Sequence, residues 1–110
     1  MGEKQGDVVQ GTLDMLILKT LALQPMHGYG ISIRIEQMSQ RVFKVNAGSL
    51  FVAFGRLQKD GLIKSEWRAT ENGRRAKYYM MTDKGSQRLN ADTREWGRQA
   101  AAIARILEAS

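Results

Sequence analysis

The chain contains no cysteine, one proline and one histidine, and only two Trp, three Tyr and three Phe among its 110 residues. Without cysteine there is no disulfide framework, no thiolate metal site and no thiol nucleophile, and nothing points to an oxidising compartment. The lone imidazole, His27, has no carboxylate pair beside it in sequence, and no glycine-rich phosphate loop is present. No catalytic residue, metal ligand or cofactor site can therefore be nominated, and an enzyme built on this chain would need a cofactor to supply its chemistry. Within the expected turn that carries it, His27 reads as a capping or packing residue. Long hydrophobic runs are missing as well. The longest, Leu13 to Leu23, is interrupted by Asp14, Lys19 and Thr20, which makes it too short and too polar to span a membrane. Residues Met1 to Gln10 alternate acidic, basic and glycine positions rather than forming a signal-peptide pattern, so a cytoplasmic protein is expected.

What the chain does have is positive charge, concentrated in one place. The formal net charge is +6 at pH 7, which makes a polyanionic partner the first idea to test. Residues 1–40 carry a net −1 and residues 89–110 a net 0, whereas residues 41–88 carry eleven Lys and Arg against four Asp and Glu. An excess confined to less than half the chain reads as an electrostatic footprint.

Hydrophobic spacing divides the rest into elements. Leu13, Leu16, Ile17 and Leu21 recur at helical intervals from Gln10 to Leu23, and Gln24-Pro25-Met26-His27-Gly28 forms a turn after them. The run Tyr29 to Gln40 keeps helical spacing through Ile31, Ile35 and Met38, although Ile31, Ile33 and Ile35 also alternate; its length and its final residues favour helix. Val42, Phe43 and Val45 make a short β-like link to Asn46, a good N-cap for a third helix from Ala47 to Asp60 that Gly61 stops. Asn72-Gly73 predicts a two-residue hairpin turn. That turn sets Ala69 opposite Ala76, Arg68 opposite Lys77 and Trp67 opposite Tyr78. Ile63, Trp67, Ala69, Ala76, Tyr78 and Met80 then form the inner face, and Lys64, Glu66, Arg68, Arg75, Lys77 and Tyr79 lie on the outer one. Thr82 caps a last helix from Asp83 to about Leu107, where Leu89, Thr93, Trp96, Ala100, Ile103 and Leu107 form a coiled-coil-like seam.

Three helices followed by a two-stranded hairpin is the order of a winged helix-turn-helix, a mainly α fold with a β-hairpin wing, in which the third helix enters the DNA major groove. Leu50, Ala53, Phe54 and Leu57 form the inward stripe of that helix, so Gly48, Val52, Gly55, Arg56 and Lys59 face away. Val52 then reaches a thymine methyl, and Arg56 or Lys59 reaches guanine or phosphate. For Gly48 and Gly55 two readings stand: close backbone approach to the duplex, or a helix start and a tolerated defect. The like-charge pair Arg68 and Lys77, with Arg74 and Arg75 nearby, is relieved by phosphates or else screened by Glu66, Glu71 and solvent.

Several runs also resemble the PadR-like family of bacterial transcriptional repressors. They are Pro25-Met26-His27-Gly28-Tyr29-Gly30-Ile31, Gly48-Ser49-Leu50-Phe51, the stretch from Leu57 to Ile63, and Arg74-Arg75-Ala76-Lys77-Tyr78-Tyr79 with Thr82 and Gly85. The resemblance covers about Gly11 to Ile106, and the length is that of the short subfamily with a single C-terminal helix. It implies a winged helix-turn-helix over residues 8–81, a dimerisation helix over residues 82–110, and a homodimer on a palindromic operator in double-stranded DNA. The expected DNA contacts are Lys44, Asn46, Gly48, Ser49, Val52, Arg56 and Lys59 around the third helix, and Arg68, Arg74, Arg75 and Lys77 in the wing. The expected dimer contacts are Leu13, Leu89, Trp96, Ala100, Ile103 and Leu107. Release by a small aromatic or hydrophobic effector is also implied, with Trp96 as the residue that would hold it, unless Trp96 is ordinary interface packing. The chain departs from the family's usual Tyr-Pro at Phe51-Val52, and Gly55 stands where a bulky polar residue is common, so the tyrosine hydroxyl contact is absent. From a different class, a winged-helix adaptor for another protein would use Phe51 and Val52 as an apolar docking patch.

Overall fold

The computed structural model describes residues 6–7 and 12–110, so the expected helix start at Gln10 and the domain boundary at residue 8 lie outside the described residues. A short strand β1 (Gly6–Asp7) precedes helix α1 (Leu13–Leu23), which buries Ile17, Leu18 and Leu21. Thr20 is buried among them, and its hydroxyl donates to the Leu16 carbonyl at 2.9 Å, which satisfies it within the helix. Gln24 is extended (φ −172°, ψ 155°), as the clash with the Pro25 ring requires, and α1 ends there. Met26 and His27, expected as part of a turn, instead form strand β2. Their backbone pairs antiparallel with Tyr79 and Tyr78, a partner strand more than fifty residues later that local sequence does not reveal.

Helix α2 (Gly28–Met38) is capped by His27, whose Nδ1 accepts from Gly30 N at 3.0 Å, in keeping with the capping role expected of that residue. Ile31 and Ile35 are its buried residues, so the helical spacing prevails over the alternating one. It stops two residues before the expected end because Gln40 and Arg41 both adopt left-handed backbone, with φ of 53° and 65°. Strand β3 (Phe43–Lys44) pairs in parallel with β1. Helix α3 (Ala47–Lys59) follows, with Asn46 Oδ1 accepting from Gly48 N at 2.8 Å and Ser49 N at 3.3 Å. Gly61, at φ 74°, ends it: Gly61 N donates to Gln58 O and Leu62 N to Leu57 O, a Schellman closure that needs the left-handed residue.

Strands β4 (Ile63–Ala69) and β5 (Arg75–Met81) form the hairpin, in a sheet of order β2-β5-β4. Its register differs from the expected one by one residue: Trp67 pairs with Lys77, Arg68 with Ala76, and Ser65 with Tyr79. The connection explains the shift. Thr70 N donates to Arg74 O, Gly73 N donates to Thr70 O, and only Gly73 of the loop is left-handed, so the loop has three residues with glycine in the bulge position. One extra loop residue turns every β5 side chain to the opposite face. Tyr79, assigned to the outer face by counting, is therefore 5% exposed and stacks on Phe54 at 4.2 Å between centroids. Trp67 and Tyr78, both expected on the inner face, do not join the core: Trp67 is 59% exposed and Tyr78 half-buried.

Helix α4 (Asp83–Leu107) has the expected bounds. Thr82 Oγ1 accepts from Gly85 N at 3.1 Å and lies within 2.7 Å of the Gly61 carbonyl and 3.0 Å of the Leu62 carbonyl, so the cap also fastens α4 to the end of α3. The core lies among α1, α2, α3 and the base of the hairpin, and α4 contributes the buried side chain of Leu89.

Candidate nucleic-acid interface

The inward stripe of α3 is the one its spacing predicts: Leu50, Ala53, Phe54 and Leu57 are all buried. At 100° per residue the opposite face consists of Gly48, Val52, Gly55 and Lys59, flanked by Phe51 on one side and by Ser49 and Arg56 on the other, and every one of these residues is exposed. A Cβ added to Gly55 would meet nothing within 4 Å, so that glycine leaves open surface rather than relieving a clash inside the chain. Phe51 and Val52 are 62% and 67% exposed.

Two of the longer polar side chains of α3 are already engaged. Arg56 grips Asp14 of α1 with two donors, Nε to Oδ2 at 3.1 Å and Nη2 to Oδ1. That hydrogen bond raises the Arg56 pKa above the ordinary arginine value, so the guanidinium stays charged. Gln58 Nε2 donates to Ser65 Oγ of β4 at 3.0 Å. Together with the Phe54–Tyr79 stack, this contact fixes α3 relative to the hairpin. Burial pushes the Tyr79 phenol up, so the stacked ring remains neutral at any working pH.

The wing carries its cations on both faces. On the face that continues the core, the Arg75 guanidinium lies 6.0 Å from the Trp67 ring centroid and the Lys77 ammonium 5.9 Å from that of Tyr79. On the other face Arg68 lies 5.3 Å from the Tyr78 centroid and pairs with Glu66. Arg68 and Lys77, expected to oppose each other, are thus separated by the sheet, and the repulsion expected between them does not arise. Arg74 is exposed at the tip, and Lys44 is exposed just before α3. Sequence reasoning missed the Asp14–Arg56 pair, which spans 42 residues, and the packing of wing cations on aromatic rings, which depends on the register.

Away from this surface, α4 divides. Leu89 is buried, Ala100 is half-buried, and Trp96, Ile103, Ile106 and Leu107 are exposed. Leu13 of α1 is half-buried against the core. A groove of about 530 Å³ runs between α1 and α4, lined by Met15, Leu16, Lys19, Leu89, Thr93 and Trp96 among others.

A three-helix bundle with a basic, aromatic-backed hairpin beside an exposed third helix defines a winged helix-turn-helix protein with an added C-terminal helix. The chain belongs to the transcriptional regulator PadR-like family, whose model matches residues 17–91. It is similar to a transcriptional regulator from Clostridium thermocellum (29% identity, TM-score 0.83, covering 91% of this chain and 94% of that one). It is also similar to a PadR-like transcriptional regulator from Bacillus cereus (27% identity, TM-score 0.81, covering 93% and 97%). An uncharacterised protein from Lysinibacillus sphaericus is 29% identical over 92 residues, 84% of each chain. Membership makes the protein a DNA-binding transcriptional regulator rather than an enzyme. Among the described residues no helix is long and apolar enough to cross a membrane.

Proposed function

We propose that the protein is a homodimeric repressor that binds a palindromic operator, with α3 in the major groove and the wing against the flanking backbone. The observation that carries this reading is the attachment of α3 to the wing through Gln58–Ser65 and Phe54–Tyr79, which presents an exposed helix face and a cationic ribbon as one unit. Lys44, Ser49, Lys59, Arg74, Arg75 and Lys77 are positioned for phosphates, Asn46 and Gly48 for close approach of the helix start, and Val52 for a base edge. Arg68 contributes from the far face of the wing. Arg56, committed to Asp14, acts at the edge of the surface.

Residues 82–110 serve as the dimerisation element. Trp96, Ile103, Ile106 and Leu107 expose an apolar stripe on a helix whose remaining surface is made of charged, polar and small residues, as in a helix that packs against a partner. The partner's equivalent helix would reach the α1 side near Leu13 and set two α3 helices about 34 Å apart, one turn of duplex. Trp96 also borders the groove between α1 and α4, whose volume suits a small aromatic effector.

Fluorescence anisotropy with duplexes recovered by selection tests the reading. Affinity is expected to fall steeply with salt, and Arg75→Ala is expected to weaken binding evenly across sequences and reduce the salt slope by about one. A monomer at micromolar concentration in light scattering would overturn the two-half-site mechanism. Exposure of Phe51 and Val52 also favours a protein-binding adaptor as a second reading. That reading prevails if no duplex is enriched and reversing the wing charges leaves partner binding unchanged.

A further inference from the structure

We infer that α3 reads its operator mainly through apolar contact of Phe51 and Val52 with thymine 5-methyl groups, and not through bidentate hydrogen bonds to guanine or adenine. This rests on the DNA-binding reading above and specifies the chemistry of the same surface.

The argument begins with the polar inventory of the helix. Between Ala47 and Lys59 the polar side chains are Ser49, Arg56, Gln58 and Lys59. The two that can form a planar fork with a base edge both have partners inside the chain: Arg56 holds Asp14 with two donors, and Gln58 donates to Ser65. The amide oxygen of Asn46 is held by the first N–H groups of the helix. Ser49 and Lys59 remain, ten residues or about 15 Å apart, near opposite ends of the helix.

Apart from them and the Asp14-bound Arg56, the exposed face of α3 consists of two glycines and two apolar side chains. Gly48 and Gly55 present bare backbone, and a Cβ at Gly55 would meet nothing, so the helix axis can settle deep in a groove. Phe51 and Val52 project from that lowered surface with most of their area in water. The one apolar group that the major groove offers is the C5-methyl of thymine. An apolar side chain pressed on any other base edge would displace water from donors and acceptors without replacing its hydrogen bonds. The surrounding charge identifies the occupant: Lys59 closes the same helix face, and residues 41–88 hold the whole positive excess of the chain, which suits a polyanion rather than an apolar protein surface.

The test uses the intact wild-type chain and a half-site recovered from a random duplex library. Each thymine of that half-site is replaced singly by deoxyuridine, which deletes the methyl group and leaves base pairing intact. At one or two thymines per half-site the affinity at constant salt is expected to fall about fourfold, the effect of exposing one buried methyl. In Val52→Ser or Phe51→Ala, both exposed positions, the penalty at the matching thymine is expected to disappear while circular dichroism stays unchanged. A half-site that tolerates every deoxyuridine, or one that depends instead on guanine N7 when 7-deazaguanine is substituted, overturns the inference and leaves DNA binding standing. If the library enriches no sequence, the DNA-binding reading falls and this inference with it.

Discussion

Gly85 and Gly97 lie twelve residues apart in one helix and mark two different environments. At Gly85 a Cβ would sit 2.1 Å from the Leu62 carbonyl oxygen and 2.8 Å from Met81 Cγ. At Gly97 it would meet nothing within 4 Å. The first turns of α4 are clamped to their own chain by that close approach, by the Thr82 cap and by buried Leu89, whereas beyond Thr93 the helix presents Trp96, Ile103, Ile106 and Leu107 to solvent. One helix thus serves two purposes. Its beginning completes the core of the DNA-binding unit, and its remainder carries apolar surface that a single chain leaves uncovered.

Substitution at Gly85 probes the clamped end with the largest expected effect. Gly85→Ala is expected to lower the thermal midpoint by more than 10 °C, because a backbone carbonyl cannot yield as a flexible side chain would, and overpacking of this kind costs about 1–3 kcal/mol or more. A shift under 3 °C would show that the α4 junction is looser than its geometry. At the free end, Ile103→Asp with Leu107→Asp is expected to leave the fold intact by circular dichroism and to halve the mass in light scattering, with weaker operator binding. An unchanged mass would place the dimer contact elsewhere. Thr82→Ala removes the cap and its link to the α3 terminus, an expected loss of about 1 kcal/mol in urea unfolding. Smallest, and opposite in sign, Gly97→Ala is expected to stabilise by about 0.5–1 kcal/mol, since the site is open and alanine favours helix. Destabilisation there would mean that a partner backbone approaches Gly97 closely.

The parts of the fold that were legible beforehand depend on short-range rules. The inward stripe of α3, the caps Asn46 and Thr82, the stop at Gly61 and the extent of α4 all follow from spacings of three or four residues or from one residue's own backbone preference. The hairpin was legible as a hairpin but not in its pairing. Asn72-Gly73 fits a two-residue loop by composition, yet the chain uses glycine alone as the left-handed residue of a three-residue loop. What decides between the two is which β5 residues can pack: the adopted register puts Tyr79 on Phe54 and sets Arg75 beside Trp67 towards the tip. Likewise, the cationic content of the candidate interface could be counted from the chain, but the commitment of Arg56 to Asp14 could not.

By itself, the sequence determined the helices, the caps Asn46 and Thr82, the stop at Gly61, the presence of a wing and the segment that holds the charge, because each depends on residues adjacent along the backbone or within one turn of it. Tertiary structure alone decided which face of β5 turns inward, that Met26–His27 adds a third strand, and which polar groups of α3 are free to meet a ligand. Those outcomes depend on contacts between groups tens of residues apart, whose energies are set by mutual packing and hydrogen bonding in space.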